Sequence, residues 1–159
     1  MRLFVLRHAD AGDPEAWVGP DAARPLSDKG RRQSEHLGRF LADNGFVTDL
    51  LLSSPKVRAR ETAELLAERI GTDVVEDERL AGGIDLDHLE AILRDHGLPE
   101  RPMLVGHDPD CSDIVSDLSG GSVAMRKGAL ARVDVDVPLE PGTGTLRWLI
   151  PPDALKPER

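Results

Sequence analysis

Short apolar runs, each followed by a stretch with helical periodicity, constrain the fold of this 159-residue chain more than any other feature. Such runs occupy residues 3–6, 49–52 and 103–105, and residues 73–75 form a weaker fourth candidate. Apolar runs of this length are typical of strands that are buried on both faces of a sheet. Because strands and helices alternate, we predict an α/β fold, a three-layer sandwich with a mostly parallel central sheet and helices on both faces.

Four segments with apolar residues three and four positions apart predict helices. Their predicted ranges are 27–45, 54–71, 85–97 and 110–118. Ser27 is a favourable N-cap for the first helix. Ser54 followed by Pro55 predicts the start of the second, because proline is well tolerated at the first helical position.

The C-terminal part of the chain has a different pattern. Residues 131–137 alternate between apolar and polar side chains, which predicts a strand with one face in water. Residues 145–150 supply a partner strand after a turn, so we predict an antiparallel edge near the C-terminus. Residues 1–151 are predicted to form one domain, and residues 152–159 a loose C-terminal tail.

The net charge and the cysteine count exclude some classes of function. The formal net charge of −9 argues against a nucleic-acid partner, because binding a phosphate backbone needs a basic surface. The single cysteine, Cys111, excludes an intramolecular disulfide and a site with several cysteine ligands. The apolar run near the N-terminus is too short for a signal peptide or a membrane span, so we expect a cytoplasmic protein without membrane contact. The acidic, short chain is expected to be a monomer.

Basic and titratable side chains follow three of the predicted strands. Arg7 and His8 come directly after the first, Arg58 lies in the first turn of the helix after the second, and His107 follows the third. Ligands of parallel α/β sheets bind at the carboxyl ends of the strands. We therefore expect these four side chains to meet at one edge of the sheet.

The chemistry that such a cluster supports is narrow. Arginine forks match phosphate oxygens and keep their charge, and a helix N-terminus adds further donors. A neutral imidazole can attack phosphorus and hold the phosphoryl group covalently, while a second, protonated histidine stabilises the oxygens. The residues thus predict phosphoryl transfer through a histidine, with no metal ion and no other cofactor.

These residues also lie within four motifs that resemble those of the histidine phosphatase superfamily. The segments are Leu6-Arg7-His8-Ala9, Arg24-Pro25-Leu26-Ser27 with Gly30, residues 53–63, and residues 105–109. The second is similar to a stretch typical of the SixA-like subgroup of phosphohistidine phosphatases. The chain departs from the superfamily pattern at Ala9, where glycine is usual, and at Asp108, where asparagine is more frequent.

The resemblance implies a role for each residue of the predicted site. His8 would be the nucleophile, and Arg7, Arg58 and His107 would form the phosphate pocket. Arg24 would bind substrate at the rim of that pocket.

The general acid stays open between three carboxylates. Asp108 directly follows the second histidine, Glu78 occupies a position that other members use, and Asp10 is close to the nucleophile in sequence. Asp108 is the preferred candidate, and capping of the following helix is an equally good use for it. An imidazole leaving group needs little help, so the reaction can also proceed without an acid.

Two substrate classes fit this chemistry, and both release inorganic phosphate. One is a phosphorylated protein, with phosphohistidine in a signalling protein as the preferred substrate. The other is a small phosphoester, such as a sugar or nucleotide phosphate. A phosphate-binding module without catalysis is a third hypothesis, but binding alone would not require a nucleophile.

Overall fold

The computed structural model describes residues 1–157, across which six strands form a single sheet. The strands are β1 (Arg2–Arg7), β2 (Leu50–Ser53), β3 (Val74–Glu76), β4 (Pro102–Gly106), β5 (Leu130–Asp134) and β6 (Thr145–Ile150). Their order is β3-β2-β4-β1-β5-β6. The first four strands are parallel, whereas β5 pairs antiparallel with both β1 and β6. The predicted parallel sheet with an antiparallel edge is confirmed.

Helices cover both faces of this sheet. They are α1 (Asp28–Asp43), α2 (Val57–Ile70), α3 (Leu86–Asp95) and α4 (Asp110–Ser119). The continuous apolar run in β1 explains the layering, since Phe4 and Leu6 pack with α1 and α2 while Leu3 and Val5 pack with α3 and α4. All four side chains are buried. The three-layer prediction is therefore confirmed, and the core lies on both sides of the sheet.

Three of the four predicted helix starts are confirmed, among them that of α4 at Asp110, and one is wrong. The Ser27 side chain accepts a hydrogen bond from the Gly30 amide, and Asp85 caps α3 by accepting from the His88 amide. The second helix begins only at Val57, and its N-cap residue provides no side-chain hydrogen bond. Ser54 does not cap this helix, and its hydroxyl contacts the side chain of His107, which follows the neighbouring strand β4.

Of the two C-terminal strands, the second has its predicted bounds, 145–150, whereas the first differs from its predicted range, 131–137. The first of them ends at Asp134, because the next amide, that of Val135, bonds to the carbonyl of Met1 outside the sheet ladder. The predicted tail is described only in part. Its first residues form a 3-10 helix, Pro152–Leu155, with Pro152 buried and Leu155 packed against the core beside α1. Residues 158–159 of that predicted tail lie outside the described residues.

Across residues 1–157 no helix combines the length and the apolar character that crossing a membrane requires.

Candidate active site

The pairing of β1 with β4 brings the two predicted site histidines side by side. Arg7 is in register with Gly106, and the His8 amide donates a hydrogen bond of 2.9 Å to the Gly106 carbonyl. His8 and His107 directly follow these two strands, and their ring centroids are 5.1 Å apart. Both side chains are buried. Strand register alone therefore assembles the centre of the site.

His8 has its ring held in the orientation that a nucleophile needs. Its Nδ1 lies 2.7 Å from the carbonyl oxygen of Ala9, which can only accept, so Nδ1 carries the proton and Nε2 keeps a free lone pair. Burial lowers the pKa of His8 to about 4; the hydrogen bond to Ala9 acts in the opposite direction, and the positive charges of Arg58 and Arg7 lower it further. The ring is thus neutral at neutral pH, as attack on phosphorus requires.

His107 is oriented by Ser54, the residue that fails to cap α2. The Ser54 hydroxyl accepts from the Lys56 amide and lies 2.7 Å from Nε2 of His107. No other acceptor for the hydroxyl hydrogen is present among residues 1–157, so Ser54 donates to Nε2 and the ring proton lies on Nδ1. His107 therefore presents an N–H group although its ring is neutral.

The sequence led us to expect a protonated second histidine, whereas in the free site the surroundings of His107 favour the neutral ring. Burial is the main cause that lowers the pKa of His107 to about 3, and the neighbouring His8 and Arg58 contribute. A bound phosphate dianion would favour the charged ring, since an opposite charge nearby stabilises it. At neutral pH the free site nevertheless contains two neutral imidazoles.

Arg58 lies in the first turn of α2, as predicted, and contacts a residue that the sequence did not single out. Its two terminal nitrogens donate to the backbone carbonyl of Asp21 at 2.9 Å and to the Asp21 carboxylate at 3.0 Å. Asp21 also accepts from Nε of Arg24 at 3.4 Å. Burial alone would raise the pKa of Asp21, but the hydrogen bonds and charges of the two arginines lower it. Asp21 holds Arg58 from the solvent side.

Arg7 is held between the β4–α4 junction and a loop that precedes β5. Its Nη1 donates to the Met125 carbonyl at 2.8 Å and lies 3.3 Å from the Asp108 carboxylate. Both oxygens of Asp108 accept from the Ser112 hydroxyl, and one also accepts from the Ser112 amide in the first turn of α4. The structure thus places Asp108 where it orients Arg7 and caps α4.

Three buried side-chain nitrogens in the described part of the chain have no hydrogen-bond partner, and all three belong to this cluster. They are Nε of Arg7, Nε of Arg58 and Nδ1 of His107. Leaving a buried donor unpaired costs roughly 1–3 kcal/mol, so such groups are rare unless a ligand uses them. Three N–H donors beside the free lone pair of His8 Nε2 suit a tetrahedral oxyanion.

The segment between β1 and α1 is fastened close to the nucleophile. Thr62 on α2 accepts from the Ala9 amide at 3.1 Å and donates to the Arg58 carbonyl at 2.7 Å, so one hydroxyl joins His8's neighbour to the Arg58 turn. Gly30 on α1 lies against the backbone of Asp10, where a Cβ atom would come within 1.9 Å of the Asp10 carbonyl oxygen. The motif positions occupied by threonine and glycine therefore keep this segment packed against both helices.

The other predicted residues lie around the cluster and not inside it. Arg24 is buried, and its Nη1 donates to the carbonyls of Ala11 and Gly12 at 2.7 and 3.3 Å, so its bonds stabilise the loop. The Asp10 carboxylate bonds to Ser27 and faces Lys127. Glu78 is exposed on the 3-10 turn after β3 and shares no hydrogen bond or ion pair with the four central residues.

Within residues 1–157 the structure contains no group of three or more histidine, cysteine, aspartate or glutamate side chains that could hold a metal ion.

A model of the histidine phosphatase superfamily (branch 1) matches residues 3–100, well over half of the chain. The chain belongs to the histidine phosphatase superfamily. The matched range includes Arg7, His8 and Arg58. His107 lies beyond it, and its place in the site follows from the pairing of β1 with β4. As a histidine phosphatase the protein is a hydrolase of phosphoesters or phosphoramidates that works without a metal ion.

Known histidine phosphatases resemble the chain over nearly its whole length. It is 27% identical to the phosphohistidine phosphatase SixA of Escherichia coli, over 98% of this chain and 97% of that protein. A solved structure of the protein histidine phosphatase SixA with tungstate has a TM-score of 0.84 at 24% identity, covering 98% and 100% of the two chains. A putative alpha-ribazole-5′-P phosphatase of E. coli has a TM-score of 0.77 at 18% identity, covering 96% and 98%.

Sequence reasoning missed two residues that shape this histidine phosphatase site. Asp21 lies in a loop that is rich in proline, glycine and aspartate, so nothing in the sequence distinguishes it from its neighbours. Its role becomes visible only when the structure shows its contact with Arg58. Ser54 was assigned to the wrong partner, since the pair Ser54-Pro55 is typical of a helix start. Its true partner, His107, is far away in sequence and becomes a neighbour only through the β2–β4 pairing.

Proposed function

We propose that the protein is a phosphohistidine phosphatase that dephosphorylates a histidine side chain of another protein through a covalent intermediate on His8. The observation that carries this proposal is the set of buried, unpartnered N–H groups on Arg7, Arg58 and His107 beside the free Nε2 of His8. Two fixed positive charges and three donors match the charge and shape of a phosphoryl group.

In the first step Nε2 of His8 attacks phosphorus. The bond between Nε2 and phosphorus forms while the bond between phosphorus and the leaving nitrogen breaks, and the electron pair remains on that nitrogen. The Ala9 carbonyl continues to accept a hydrogen bond from the Nδ1–H group of His8. This contact stabilises the positive charge that develops on the His8 ring. The positive charges of Arg7 and Arg58 stabilise the negative charge of the phosphoryl oxygens.

In the second step water attacks the phosphorylated His8. The new oxygen–phosphorus bond forms, the bond to Nε2 breaks, and its electron pair returns to Nε2, which restores the neutral ring. The proton lost by water goes to the bulk or to the phosphate itself. Inorganic phosphate leaves the site.

The phosphohistidine substrate is favoured by one feature of the fold and by one sequence similarity. The segment between β3 and β4 contributes only a 3-10 turn and α3, whose Leu89, Ile92 and Leu93 are buried in the core, so α3 packs on the face of the sheet. A short segment of this kind favours a phosphorylated side chain on a protein surface as the substrate. Similarity to a phosphohistidine phosphatase along nearly the whole chain points the same way.

Removing the nucleophile tests the mechanism. His8→Ala is expected to abolish phosphate release and covalent labelling by a phosphorylated substrate, because no other neutral imidazole has its Nε2 free in the cluster. His88→Ala, at an exposed histidine on α3, is the control and is expected to retain turnover. Turnover by a folded His8→Ala protein would overturn the mechanism.

The alternative substrate class is a small phosphoester, which the fold likeness to a putative alpha-ribazole-5′-P phosphatase keeps open. Comparing kcat/KM for a phosphohistidine protein with kcat/KM for a panel of sugar, nucleotide and amino-acid phosphates separates the two. We expect the phosphohistidine protein to be preferred. Preference for one small ester would replace the substrate and leave the role of His8 intact.

The expected cytoplasmic location and monomeric state also stay predictions. Native mass measurement tests the second of them directly.

A further inference from the structure

We propose that a cationic groove along α1 docks a carboxylate-rich surface next to the phosphohistidine of the substrate protein. This inference rests on the proposed function, since it names what else of the substrate the protein binds. The α1 stripe is defined here as Lys29, Arg32 and His36, and Lys156 faces it from the C-terminal segment.

The helical period places the stripe on one face of α1. Lys29, Arg32, Gln33 and His36 are spaced by three, four and seven positions and therefore lie above one another on the helix. Together with Pro152, Lys156 and Pro157 they line a groove of about 510 Å³. The groove thus has one wall from the helix and one from the segment after β6.

One wall of the groove is bonded to the segment that follows the nucleophile. Lys29 lies in the first turn of α1, at the end of the sheet where His8 is found. Gln33 accepts a hydrogen bond of 2.9 Å from the amide of Asp10, two residues from His8. Lys127 lies 3.6 Å from the Asp10 carboxylate, and its charge contributes to lowering the pKa of His8, after burial and the two arginines. A protein substrate with its phosphoryl group at His8 therefore has the groove within reach of its neighbouring surface.

The charges of the stripe are only partly used within the protein: Lys29 lowers the pKa of Asp10 and Asp153, but only as a minor cause. Lys29 and Arg32 are exposed, and among residues 1–157 neither forms an ion pair. Lys29 also lies at the N-terminal turn of its helix, where a positive charge is unfavourable because the helix dipole is positive there. Within the groove region the carboxylates of Asp10 and Asp153 are already paired, with Lys127 and Lys156.

The occupant that this surface fits is an acidic protein segment. The chain carries a net charge of −9, so most of its surface repels an acidic partner, and a local positive stripe beside the nucleophile directs such a partner to the site. A nucleic acid is a poorer fit, because sustained binding to it needs many cationic contacts and the stripe supplies few.

The test uses two phosphohistidine peptides that differ only in the residues flanking the phosphohistidine, glutamates in one and glutamines in the other. The variant Lys29→Glu/Arg32→Glu reverses the stripe. The control Arg2→Glu/Arg69→Glu changes the net charge equally, at exposed positions on the opposite end of the sheet. Phosphoramidate, a small substrate with no docking segment, reports on the chemistry alone.

We expect the glutamate peptide to have the lower KM with the unmodified protein, and added salt to reduce the difference. The stripe variant should raise KM for the glutamate peptide by about tenfold, with kcat for phosphoramidate unchanged, whereas the control keeps the preference. Equal KM values for both peptides, or a preference that survives in the stripe variant, would overturn the docking proposal. Failure to hydrolyse either peptide alongside turnover of small esters would instead overturn the proposed function.

Discussion

At Ser54 a single hydroxyl group contacts both the Lys56 amide and Nε2 of His107. Because the hydroxyl donates to Nε2, it determines which nitrogen of the neutral His107 ring carries the proton. The neighbouring Ser53 is equally buried, but its hydroxyl donates to the carbonyl of Ser54 and does not reach the histidine. Substituting each serine in turn therefore distinguishes the loss of the His107 contact from the loss of a buried hydroxyl group.

Replacing Ser54 with Ala should lower kcat by roughly 10- to 100-fold with little change in KM, as the loss of a residue that orients a catalytic ligand commonly does. The ¹⁵N NMR signals of His107 should show that protonation at Nδ1 is no longer preferred. Ser53→Ala is the matched control and should leave both the signals and kcat near their original values. An unchanged His107 spectrum in Ser54→Ala would contradict the orienting role.

For Asp108 the structure favours orientation of Arg7 over donation of a proton. Asp108→Asn is therefore expected to reduce kcat/KM by a similar factor for an aryl phosphate and for an alkyl phosphate, because Arg7 serves both. A general acid matters most for poor leaving groups. A loss confined to the alkyl phosphate would identify Asp108 as the acid instead, and Glu78→Gln provides the comparison at the exposed alternative.

Among the elements, the start of α1 is in direct backbone contact with Asp10, in the loop that follows His8. Gly30 touches the Asp10 backbone, and the Ser27 amide donates to the Asp10 carbonyl. The helix start is therefore fastened two residues from His8. A Cβ atom at a second glycine of the same helix, Gly38, would lie 3.0 and 3.2 Å from Cγ and Cβ of Arg69 and 3.4 Å from the Leu65 carbonyl, so it would overlap no backbone atom as closely.

Gly30→Ala should lower the free energy of unfolding by about 1–3 kcal/mol, because the added methyl group overlaps a carbonyl oxygen that cannot move without the loop. Activity should fall as well, since the displaced loop carries His8. Gly38→Ala brings its methyl group to 3.0 and 3.2 Å from Cγ and Cβ of Arg69, which a shift of a few tenths of an ångström relieves, so it should cost clearly less than Gly30→Ala. Urea unfolding measures both, and equal effects of the two substitutions would contradict the close-contact explanation.

For the whole molecule, the two buried histidines link stability to pH. The pKa of His8 is lowered to about 4 and that of His107 to about 3, while an unfolded histidine has a pKa near 6.5. Between these values the unfolded chain binds more protons than the folded one, so stability is complete above about pH 6.5 and is lost as the pH falls. The loss from His8 alone is on the order of 2–3 kcal/mol by about pH 4.5.

Urea unfolding at pH 7 and at about pH 4.5 tests this linkage. His8→Asn keeps a polar side chain but cannot titrate, so the variant should lose clearly less stability over this interval than the unmodified protein. The carboxylates with lowered pKa, among them Asp21 and Asp134, lose their contributions at lower pH and do not mask the difference. The same loss of stability in both proteins would contradict the assignment of His8 as a buried neutral imidazole.

Strand pattern and local motifs determined the architecture and the centre of the site. Because residues 3–6 are continuously apolar, they had to be buried on both faces, and residues that follow parallel strands must meet at one edge. Arg7, His8 and His107 follow from that rule alone. Arg58 follows from its place in the first turn of the next helix.

Only the tertiary structure decided what each of these groups offers a ligand. The start of α2, the proton position on His107 and the Asp21 contact to Arg58 all depend on partners distant in sequence. A hydroxyl or carboxylate can satisfy several partners, and the one it takes is the one that folding brings within about 3 Å. Apolar periodicity is a property of the chain, whereas hydrogen-bond partners and proton positions are properties of the packed molecule.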